Sequence, residues 1–225
     1  TWSDGSHSIA EMVKKAQQLG WKYMAITDHV GAIGVAHPLD RKRLLQQSKE
    51  IDKLNKTSPV RILKGAEVDI LKDGSLAMDK KTLQELDIVL ASVHSAFKMS
   101  EAEMTKRIIH ALENYPVTIL AHPTGRRITY REPYAVNIEK VAEVAKERGI
   151  FLEINGQPER IDLNDVNIRT AKEVGCQFSL GSDAHSVPDL EFMKFAVITA
   201  RRGGLTKEQI LNCWPLKKVE KVLER

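Results

Sequence analysis

The chain has 225 residues, with 34 lysines and arginines against 30 aspartates and glutamates, for a formal net charge of +4. Apolar residues make up 42% and charged residues 28%, which is typical of a globular protein and excludes a disordered or collagen-like chain. No apolar run approaches the roughly 18–20 residues that span a bilayer. The mild positive charge favours acidic ligands, but it is too weak to indicate nucleic acid by itself.

The two cysteines, Cys176 and Cys213, are far apart in the sequence and lack the spacing of a metal-binding pair. Lone thiols of this kind are typical of a reducing compartment, and we expect a buried structural role for them. The chain begins without a basic and then apolar leader. We therefore expect a cytoplasmic protein with no signal peptide and no membrane partner.

Amphipathic helices alternate with short apolar strands along the chain. In order, the pattern predicts a helix over 9–19, a strand over 21–27, a helix over 40–56, strands over 61–70 and 87–93, a helix over 101–114, a strand over 117–121, a helix over 138–148, a strand over 150–155, a helix over 166–174, a strand over 176–181 and a helix over 188–202. Gly20, Gly149 and Gly175 each follow a helix and are expected to close it in the left-handed conformation. Capping-box pairs mark three helix starts, at Ser8 with Glu11, Ser100 with Glu103 and Thr206 with Gln209.

The strands are continuous apolar runs, which is typical of parallel strands covered by helices. Six such strands alternating with helices imply right-handed crossovers and either a barrel or an open doubly wound sheet. No linker, low-complexity tract or charge block divides the chain. The sequence therefore predicts a single α/β domain over residues 1–225.

Acidic residues and histidines lie at or near the ends of five predicted strands. They are Asp28 with His29, Glu67, His94, His122, and Asp183 with His185. In an α/β barrel the carboxyl ends of all strands meet on one face, where such folds place their active sites. A single histidine at a strand end is more often a structural residue than a ligand, but four in this position indicate a common site.

Mixed imidazole and carboxylate ligands suit Zn²⁺, Mn²⁺ or Fe²⁺. The candidate ligands are too many for one tetrahedral ion, so we expect two or three divalent metal ions. Such a cluster lowers the pKa of a bound water and neutralises charge on phosphate oxygens. The sequence contains no Gly-rich phosphate loop, no dinucleotide motif and no Gly-x-Ser-x-Gly motif, so metal-activated water is the simplest mechanism.

Polar side chains that could hold a phosphate follow two of the same strands. They are Arg126, Arg127 and Arg131 after His122, and Asn155 and Arg160 after the next strand. The planar guanidinium fork matches phosphate oxygens, so we predict that Arg126, Asn155 and Arg160 contact substrate phosphate. The alternative is a solvated basic loop. The sequence shows no interleaved aromatic residues of the kind that stack single-stranded bases.

These motifs resemble those of the polymerase-and-histidinol-phosphatase (PHP) superfamily. The matching segments are Thr1-Trp-Ser-Asp-Gly5, Ile26-Thr-Asp-His29, Gly65-Ala-Glu67, Ser92-Val-His-Ser95, Ala121-His-Pro123 and Gly181-Ser-Asp-Ala-His185. More narrowly, the chain resembles the C-terminal PHP domain of bacterial and archaeal family X DNA polymerases. The segments that carry this narrower resemblance are Glu67-Val-Asp-Ile-Leu71, Ala91-Ser-Val-His-Ser-Ala-Phe97, His122-Pro-Thr-Gly-Arg126, Arg131-Glu-Pro-Tyr134, Glu153-Ile-Asn155 and Thr199-Ala-Arg-Arg-Gly-Gly204.

The resemblance implies a distorted (β/α)7 TIM-like barrel with a three-metal site, usually filled by Mn²⁺ or Zn²⁺. Its metal ligands would be Asp4, His29, Glu67, His94, His122, Asp183 and His185, with Glu67 bridging two ions. In those polymerases the domain is a 3′→5′ exonuclease, so we expect a phosphoesterase that acts on DNA 3′ ends. The expected catalytic residues are His94, His122, Asp183 and Arg126, and Asp28 is expected to orient His29.

One departure concerns the first barrel strand. In the family this strand ends in a His-x-His pair just before the segment that begins here at Thr1, and that pair is absent from this sequence. We therefore expect an N-terminally truncated domain whose polymerase domains belong to the same parent chain.

Two alternatives to the DNA phosphoesterase remain open. One is a small-molecule phosphatase of the histidinol-phosphatase type, and the other is a catalytically inactive module. The basic loop and the family X-like tail favour DNA, and with it a nucleoid-associated location in the cytoplasm.

Overall fold

The structure is a computed structural model that describes residues 1–31 and 36–224. Within these residues the helices are α1 Ile9–Gln18, α2 Arg41–Asn55, α3 Lys80–Leu83, α4 Glu101–Asn114, α5 Ile138–Arg148, α6 Asp165–Val174, α7 Met193–Arg202 and α8 Leu216–Leu223. The strands are β1 Tyr23–Ile26, β2 His29–Val30, β3 Arg61–Asp69, β4 Ile88–Ser92, β5 Ile119–Leu120, β6 Phe151–Asn155 and β7 Phe178–Gly181. Short 3₁₀ helices lie at Pro188–Phe192, Lys207–Gln209 and Leu211–Cys213.

All strand pairings are parallel, and the sheet runs in the order β1-β3-β4-β5-β6-β7. The sheet curls into a half-barrel with helices on its outer face, so the predicted α/β, TIM-like fold is confirmed. In the described part of the chain, β1 and β7 form the two edges and do not pair with each other.

The strand count differs from the six strands that the sequence predicts. The additional strand is β2, in which His29 pairs with Glu67 of β3. Ile26 of β1 pairs with Lys64 of β3, so β1 and β2 have the same register on β3. The amide of Glu67 also donates to the carbonyl oxygen of Asp28 at 3.0 Å. Together, β1 and β2 therefore form one interrupted edge that carries His29 into the sheet.

Local sequence signals explain most helix boundaries. The capping boxes at Ser8 and Ser100 begin α1 and α4, and Gly149 and Gly175 close α5 and α6 in the left-handed conformation. The third predicted box, at Thr206, caps a short 3₁₀ helix instead of an α-helix. The helix predicted over 188–202 begins as the 3₁₀ helix at Pro188–Phe192 and becomes α-helical only from Met193.

The two faces of the sheet bury different cores. Outward-facing strand residues pack against α4, α5 and α6 in the largest apolar cluster. The inner face forms a second cluster that includes Leu63, Leu90 and Phe151, and the C-terminal segment packs into it through Trp214. The ring of Trp214 lies edge-on to that of Phe151 at 5.7 Å. The C-terminal segment thereby fills the inside of the half-barrel at the end opposite the carboxyl ends of the strands.

None of the described helices combines the length and the apolar character that crossing a membrane requires.

A buried arginine ties the loops after β3 and β4 to α4. Arg107 is only 2% exposed, and its guanidinium donates to the carbonyl oxygens of Leu71 and Ser95 at 2.9 Å each and to that of Ile70. A buried carbonyl without a donor costs free energy, so this one fork satisfies groups that the turning backbone leaves unpaired. Arg107 therefore holds the two loops that begin where Asp69 and Ser92 end their strands.

We expect the Arg107→Met substitution to lower the free energy of unfolding by about 1–3 kcal/mol, because it leaves buried carbonyls unpaired. The exposed neighbour Lys106 offers a matched control on the same helix, and Lys106→Met should change stability by less than about 0.5 kcal/mol. Urea denaturation followed by circular dichroism measures both. Equal stability of the two variants would contradict the role given to Arg107.

Candidate metal centre

Acidic side chains and imidazoles meet at the carboxyl ends of the strands. β2 supplies His29 and β3 supplies Glu67, while His94 and His122 follow β4 and β5 directly. The segment after β7 supplies the remaining two candidates, Asp183 and His185. Because parallel strands all point the same way, residues far apart in the sequence share this edge of the sheet.

The N-terminal segment reaches the same edge and adds Asp4. The amide of Ser6 donates to the carbonyl oxygen of His185 at 2.8 Å. Asp28 accepts from the amide of Ser3 at 2.8 Å and from its hydroxyl at 2.6 Å. These contacts hold Asp4 between the end of β1 and the segment after β7.

The carboxylate of Glu67 lies at the centre of three imidazoles. Its Oε1 is 2.9 Å from Nε2 of His122 and 3.3 Å from Nε2 of His94. Its Oε2 is 3.9 Å from Nδ1 of His29. Glu67, His29 and His94 offer one ligand atom each within 4.8 Å of one another, which is compatible with one cation.

A second group of ligand atoms lies beside the first and shares His29 with it. Asp4 Oδ2 is 3.4 Å from Nε2 of His185 and 3.9 Å from Nε2 of His29. These three residues also offer ligand atoms within 4.8 Å of one another. His29 thus belongs to both groups, but a neutral imidazole has a single free lone pair and can bind an ion in only one of them.

Two buried nitrogen atoms support the assignment of a cation site. Nδ1 of His29 and Nδ1 of His122 are buried and have no hydrogen-bond partner among the described residues. Leaving such an atom unpaired costs free energy unless something binds it or its neighbours. Nitrogen and carboxylate donors in this mixture fit Zn²⁺, Mn²⁺ or Fe²⁺, so the residues present fit a divalent cation.

Two carboxylates of the centre, those of Glu67 and Asp4, are ionised. Burial would raise the pKa of Glu67, but hydrogen bonds from His122 and His94 outweigh burial and hold the pKa well below its usual range. Burial likewise opposes ionisation of Asp4, whereas the hydrogen bond from His185 and the charges of His185 and His29 lower its pKa to about 2. Both side chains are therefore anionic at neutral pH, the form that binds a divalent cation.

The histidines differ in charge because their neighbours differ. Burial disfavours the charged form of His94, but hydrogen bonds to Asp69 and Glu67 raise its pKa to about 9. The hydrogen bond to Asp4 raises the pKa of His185 to about 9. Burial and the charge of Arg160 lower the pKa of His122, which keeps this imidazole neutral, the form that binds a metal.

Asp69 orients His94. Its Oδ1 accepts from Nδ1 of His94 at 2.6 Å, which turns Nε2 of the same ring toward Glu67. A carboxylate behind a ligating histidine fixes the tautomer and the ring orientation. Sequence reasoning assigned no role to Asp69, although Glu67 and Asp69 are two residues apart and so face the same side of a strand.

The prediction that Asp28 orients His29 is wrong. The carboxylate of Asp28 accepts from Ser3, as described above, and from Nε2 of the Gln47 side-chain amide at 2.5 Å. These three donors engage both oxygens of the Asp28 carboxylate, whereas Nδ1 of His29 has no hydrogen-bond partner among the described residues. Asp28 therefore positions the segment that carries Asp4.

Asp183 is held by two donors and belongs to neither group of candidate ligands. Its Oδ2 accepts from Nε of Arg160 at 2.9 Å and from Nδ2 of Asn155 at 3.1 Å. Its Oδ1 lies 3.9 Å from Nδ1 of His185. Asp183 is therefore next to the centre, with one oxygen facing His185 and the other engaged.

The three residues predicted to hold phosphate have different roles in this structure. Arg126 donates to the backbone carbonyls of Arg160 and Ile161, so it braces the loop after β6. The amide of Asn155 donates to Asp183 and to Glu153. In the described part of the chain, Nη1 of Arg160 is buried without a hydrogen-bond partner. Of the three, Arg160 has the donor that is free for an anion.

Glu153 is a buried carboxyl group that sequence reasoning left without a role. Its Oε2 accepts from the amide of His122 at 2.6 Å. Burial and the charge of Asp183 raise its pKa to about 8. A side chain at Gly181 would approach Oε1 of Glu153 to 2.1 Å, so glycine makes room for this carboxyl group. The sequence does carry a signal for Glu153, since it lies two residues before Asn155 on β6 and the two side chains therefore face the same side of the strand.

The centre opens into a cavity of about 750 Å³ that extends into the half-barrel. Asp4, Glu67 and His185 line its polar end, and Leu90 and Trp214 line its apolar depth. The cavity lies between the edge strands β1 and β7, where no strand of the described residues closes the sheet.

Comparison with known proteins identifies related sequences. A family model described as the PHP domain matches residues 1–157. The DNA polymerase/3′-5′ exonuclease PolX of Bacillus subtilis (strain 168) is 45% identical over 226 residues, which cover all of this chain and 40% of that protein. The chain thus spans well under half the length of this relative.

Two further comparisons concern proteins of similar length. A probable phosphatase of Thermoanaerobacter sp. (strain X514) is 34% identical over 219 residues, covering 91% of this chain and 83% of that protein. The solved structure of histidinol phosphate phosphatase from Lactococcus lactis subsp. lactis Il1403, complexed with zinc, L-histidinol and phosphate, has a TM-score of 0.64 at 16% identity and covers 91% of each chain. At this identity the structural match shows the fold alone.

The Asp69→Asn substitution should lower the pKa of His94 from about 9 toward its ordinary value of 6.5 in the metal-free protein, because it removes the charge behind the ring. Because the pKa of His94 is higher in the folded than in the unfolded protein, its protonation stabilises the fold. This stabilisation is complete below about pH 6.5 and is lost as the pH rises through about 9. Asp69→Asn should therefore flatten the decline in stability over that range.

Nuclear magnetic resonance titration of the imidazole protons measures the pKa, with His94→Gln to assign the signal. Asp73→Asn is the matched control, since Asp73 also follows β3 and its carboxylate binds Ser75 instead of a histidine. An unchanged pKa of His94 in Asp69→Asn would refute the assigned contact.

Proposed function

Because the chain belongs to the PHP domain family, we propose that it is a metal-dependent phosphoesterase that hydrolyses phosphodiesters at DNA 3′ ends. In this proposal it is the 3′→5′ exonuclease part of a family X DNA polymerase. The observation that carries the proposal is the buried carboxylate of Glu67 among the imidazoles of His29, His94 and His122. The 45% identity to a polymerase with a 3′-5′ exonuclease, over the whole of this chain, supports the choice of substrate.

The proposed metal-binding residues are grouped around the carboxylate of Glu67. They are Asp4, His29, Glu67, His94, His122, Asp183 and His185. Two or three divalent ions, Mn²⁺ or Zn²⁺ and alternatively Fe²⁺, would lower the pKa of a water molecule and neutralise charge on the phosphate when bound. The ionised carboxylates of Glu67 and Asp4 supply the negative charge that such ions require.

In this proposal, side chains around Asp183 orient the substrate. Arg160 has a buried Nη1 that finds no hydrogen-bond partner in residues 1–31 and 36–224, and it lies against Asp183, so we assign it to a phosphate oxygen. Arg126 supports this role by binding the backbone carbonyl of Arg160. Asn155 fixes Asp183, and the neutral imidazole of His122 is available at the reacting phosphate.

A small-molecule phosphatase is the second candidate function. It is favoured by the probable phosphatase of Thermoanaerobacter, because this chain covers 83% of that protein at 34% identity. The cavity of about 750 Å³ is large enough for a small phosphomonoester. A competition between a 3′-labelled single-stranded oligonucleotide and a phosphomonoester, in the presence of Mn²⁺, separates the two functions. Stepwise shortening of the oligonucleotide supports the exonuclease, and hydrolysis of the monoester alone contradicts it.

We expect Glu67→Gln to lower the metal content of the protein and to reduce hydrolysis by at least about a hundredfold, because the substitution removes the central negative charge and keeps the shape. Elemental analysis and an oligonucleotide digestion measure the two effects. Glu143→Gln, the same change on the exposed face of α5, should affect neither. Full activity of Glu67→Gln would refute the proposed centre, and so would activity without any bound metal.

We also propose that a strand preceding Thr1 in a longer protein pairs with the open edges of the sheet. The gap between β1 and β7 and the 40% coverage of the polymerase relative support this proposal. The rest of that longer protein would contain the polymerase domains, and its work on DNA would place it at the nucleoid in the cytoplasm.

A chain extended at its N-terminus by a strand with a His-x-His sequence should bind more metal per molecule than the present chain, because two imidazoles would be added at the cluster. Metal content by elemental analysis checks this expectation. An extension in which both added histidines are replaced by glutamine is the control. Equal metal content of the two extended chains would contradict the proposal.

A further inference from the structure

The loop after β5 presents an aromatic ring to solvent. Tyr130 is 71% exposed, more than any other of the large apolar side chains that are exposed in the described part of the chain. The guanidinium of Arg127 lies 5.1 Å from the centre of its ring. Exposing so much aromatic surface to water is unfavourable, and a ring paired with a guanidinium is typical of binding surfaces.

A second pairing of a guanidinium with an aromatic ring joins two loops. The guanidinium of Arg131 lies 3.9 Å from the centre of the Phe97 ring. Phe97 stacks in turn on the buried Tyr134 at 6.3 Å with an angle of 18° between the rings. Phe97 is in the loop that follows His94, whereas Tyr130 and Arg131 are in the loop that follows His122. The aromatic platform, defined here as Phe97, Arg127, Tyr130 and Arg131, is therefore carried by two loops that each begin at a histidine of the candidate metal centre.

The backbone holds the platform in one conformation. The amides of Tyr130 and Arg131 donate to the carbonyl oxygen of Arg127 at 2.9 Å and 2.7 Å, and Thr129 in this turn has a φ of 67°. The guanidinium of Arg131 donates to the carbonyl oxygen of Gly125 at 2.7 Å and 2.9 Å. These hydrogen bonds restrict the conformations of the turn, which reduces the entropy that binding would cost.

The charge of this surface favours an anionic ligand. Arg126, Arg127, Arg131 and the exposed Lys98 contribute four positive charges, against the carboxylates of Glu132 and Glu159. Glu159 is paired with Arg127, so it reduces this excess without reversing it. Ile128, at 40% exposure, is the one further large apolar residue exposed in this turn, which is less apolar area than a protein partner normally requires.

We propose that the aromatic platform stacks the bases of a single-stranded nucleic acid whose 3′ phosphodiester lies at the metal centre. The proposal rests on the function proposed above and identifies how its substrate is held. A planar ring beside guanidinium groups binds any base through its face while the cations bind the backbone phosphates. A small phosphate ester would occupy the centre and leave Tyr130 in water. The platform therefore distinguishes a nucleic-acid strand from a small phosphomonoester.

Binding is tested first, without turnover, by fluorescence anisotropy with a labelled oligothymidylate whose linkages are phosphorothioates. The Tyr130→Ala substitution should weaken binding about 5-fold to 150-fold, the range that corresponds to one stacked base. Tyr130→Phe keeps the ring and should bind like the unmodified protein. Ile198→Ala is the control, because Ile198 is an exposed apolar residue on α7, at 52% exposure. Equal binding by Tyr130→Ala and the unmodified protein, or no binding by either, overturns the platform.

Hydrolysis separates this inference from the proposed function. The Tyr130→Ala variant should raise the KM for a 3′-labelled oligonucleotide and leave the hydrolysis of bis(4-nitrophenyl) phosphate unchanged. If the unmodified protein binds the oligonucleotide through Tyr130 but does not shorten it, the platform stands and the exonuclease function fails. If Tyr130→Ala loses hydrolysis of both substrates equally, Tyr130 supports the fold of the site and the platform is refuted.

Discussion

The buried negative charge of Glu67 is the constraint on which the site depends. A carboxylate in the interior is unstable unless positive charge or donors surround it. Here the imidazoles of His94 and His122 donate to it, and His29 lies on its other side. Each of these residues comes from a different strand or strand end, so only a sheet whose carboxyl ends converge can satisfy this one side chain.

Several residues around the centre make hydrogen bonds that hold its candidate metal-binding residues in place. Asp69 fixes the ring of His94, and Asp28 fixes the segment that carries Asp4. Arg107 binds the backbone of the loops that follow β3 and β4. None of these residues needs to touch a substrate. Their hydrogen bonds reduce the number of orientations available to the ligands, which is what a preorganised site requires.

Two guanidinium groups near the centre have different partners. Arg126 is engaged with backbone carbonyls, whereas Arg160, beside Asp183, keeps one buried donor that is unpaired in the part of the chain that the structure describes. Arg127 and Arg131 lie further out with the rings of Tyr130 and Phe97. Along the loop after β5, exposure thus rises from 2% at His122 to 71% at Tyr130, which is the order that the proposed nucleic-acid strand requires.

The sequence by itself determined the alternation of helices and parallel strands, most helix ends and the positions of acidic residues and histidines at strand ends, because these depend on local periodicity and capping. Only the tertiary structure decided which hydrogen-bond and stacking partners the side chains of the site have. It turned Asp28 toward Ser3 and Gln47, engaged Arg126 with a neighbouring loop and brought Phe97 against Arg131, although these residues are distant in the sequence. Hydrogen-bond direction and stacking depend on the packing of separate loops, and no local pattern encodes that packing.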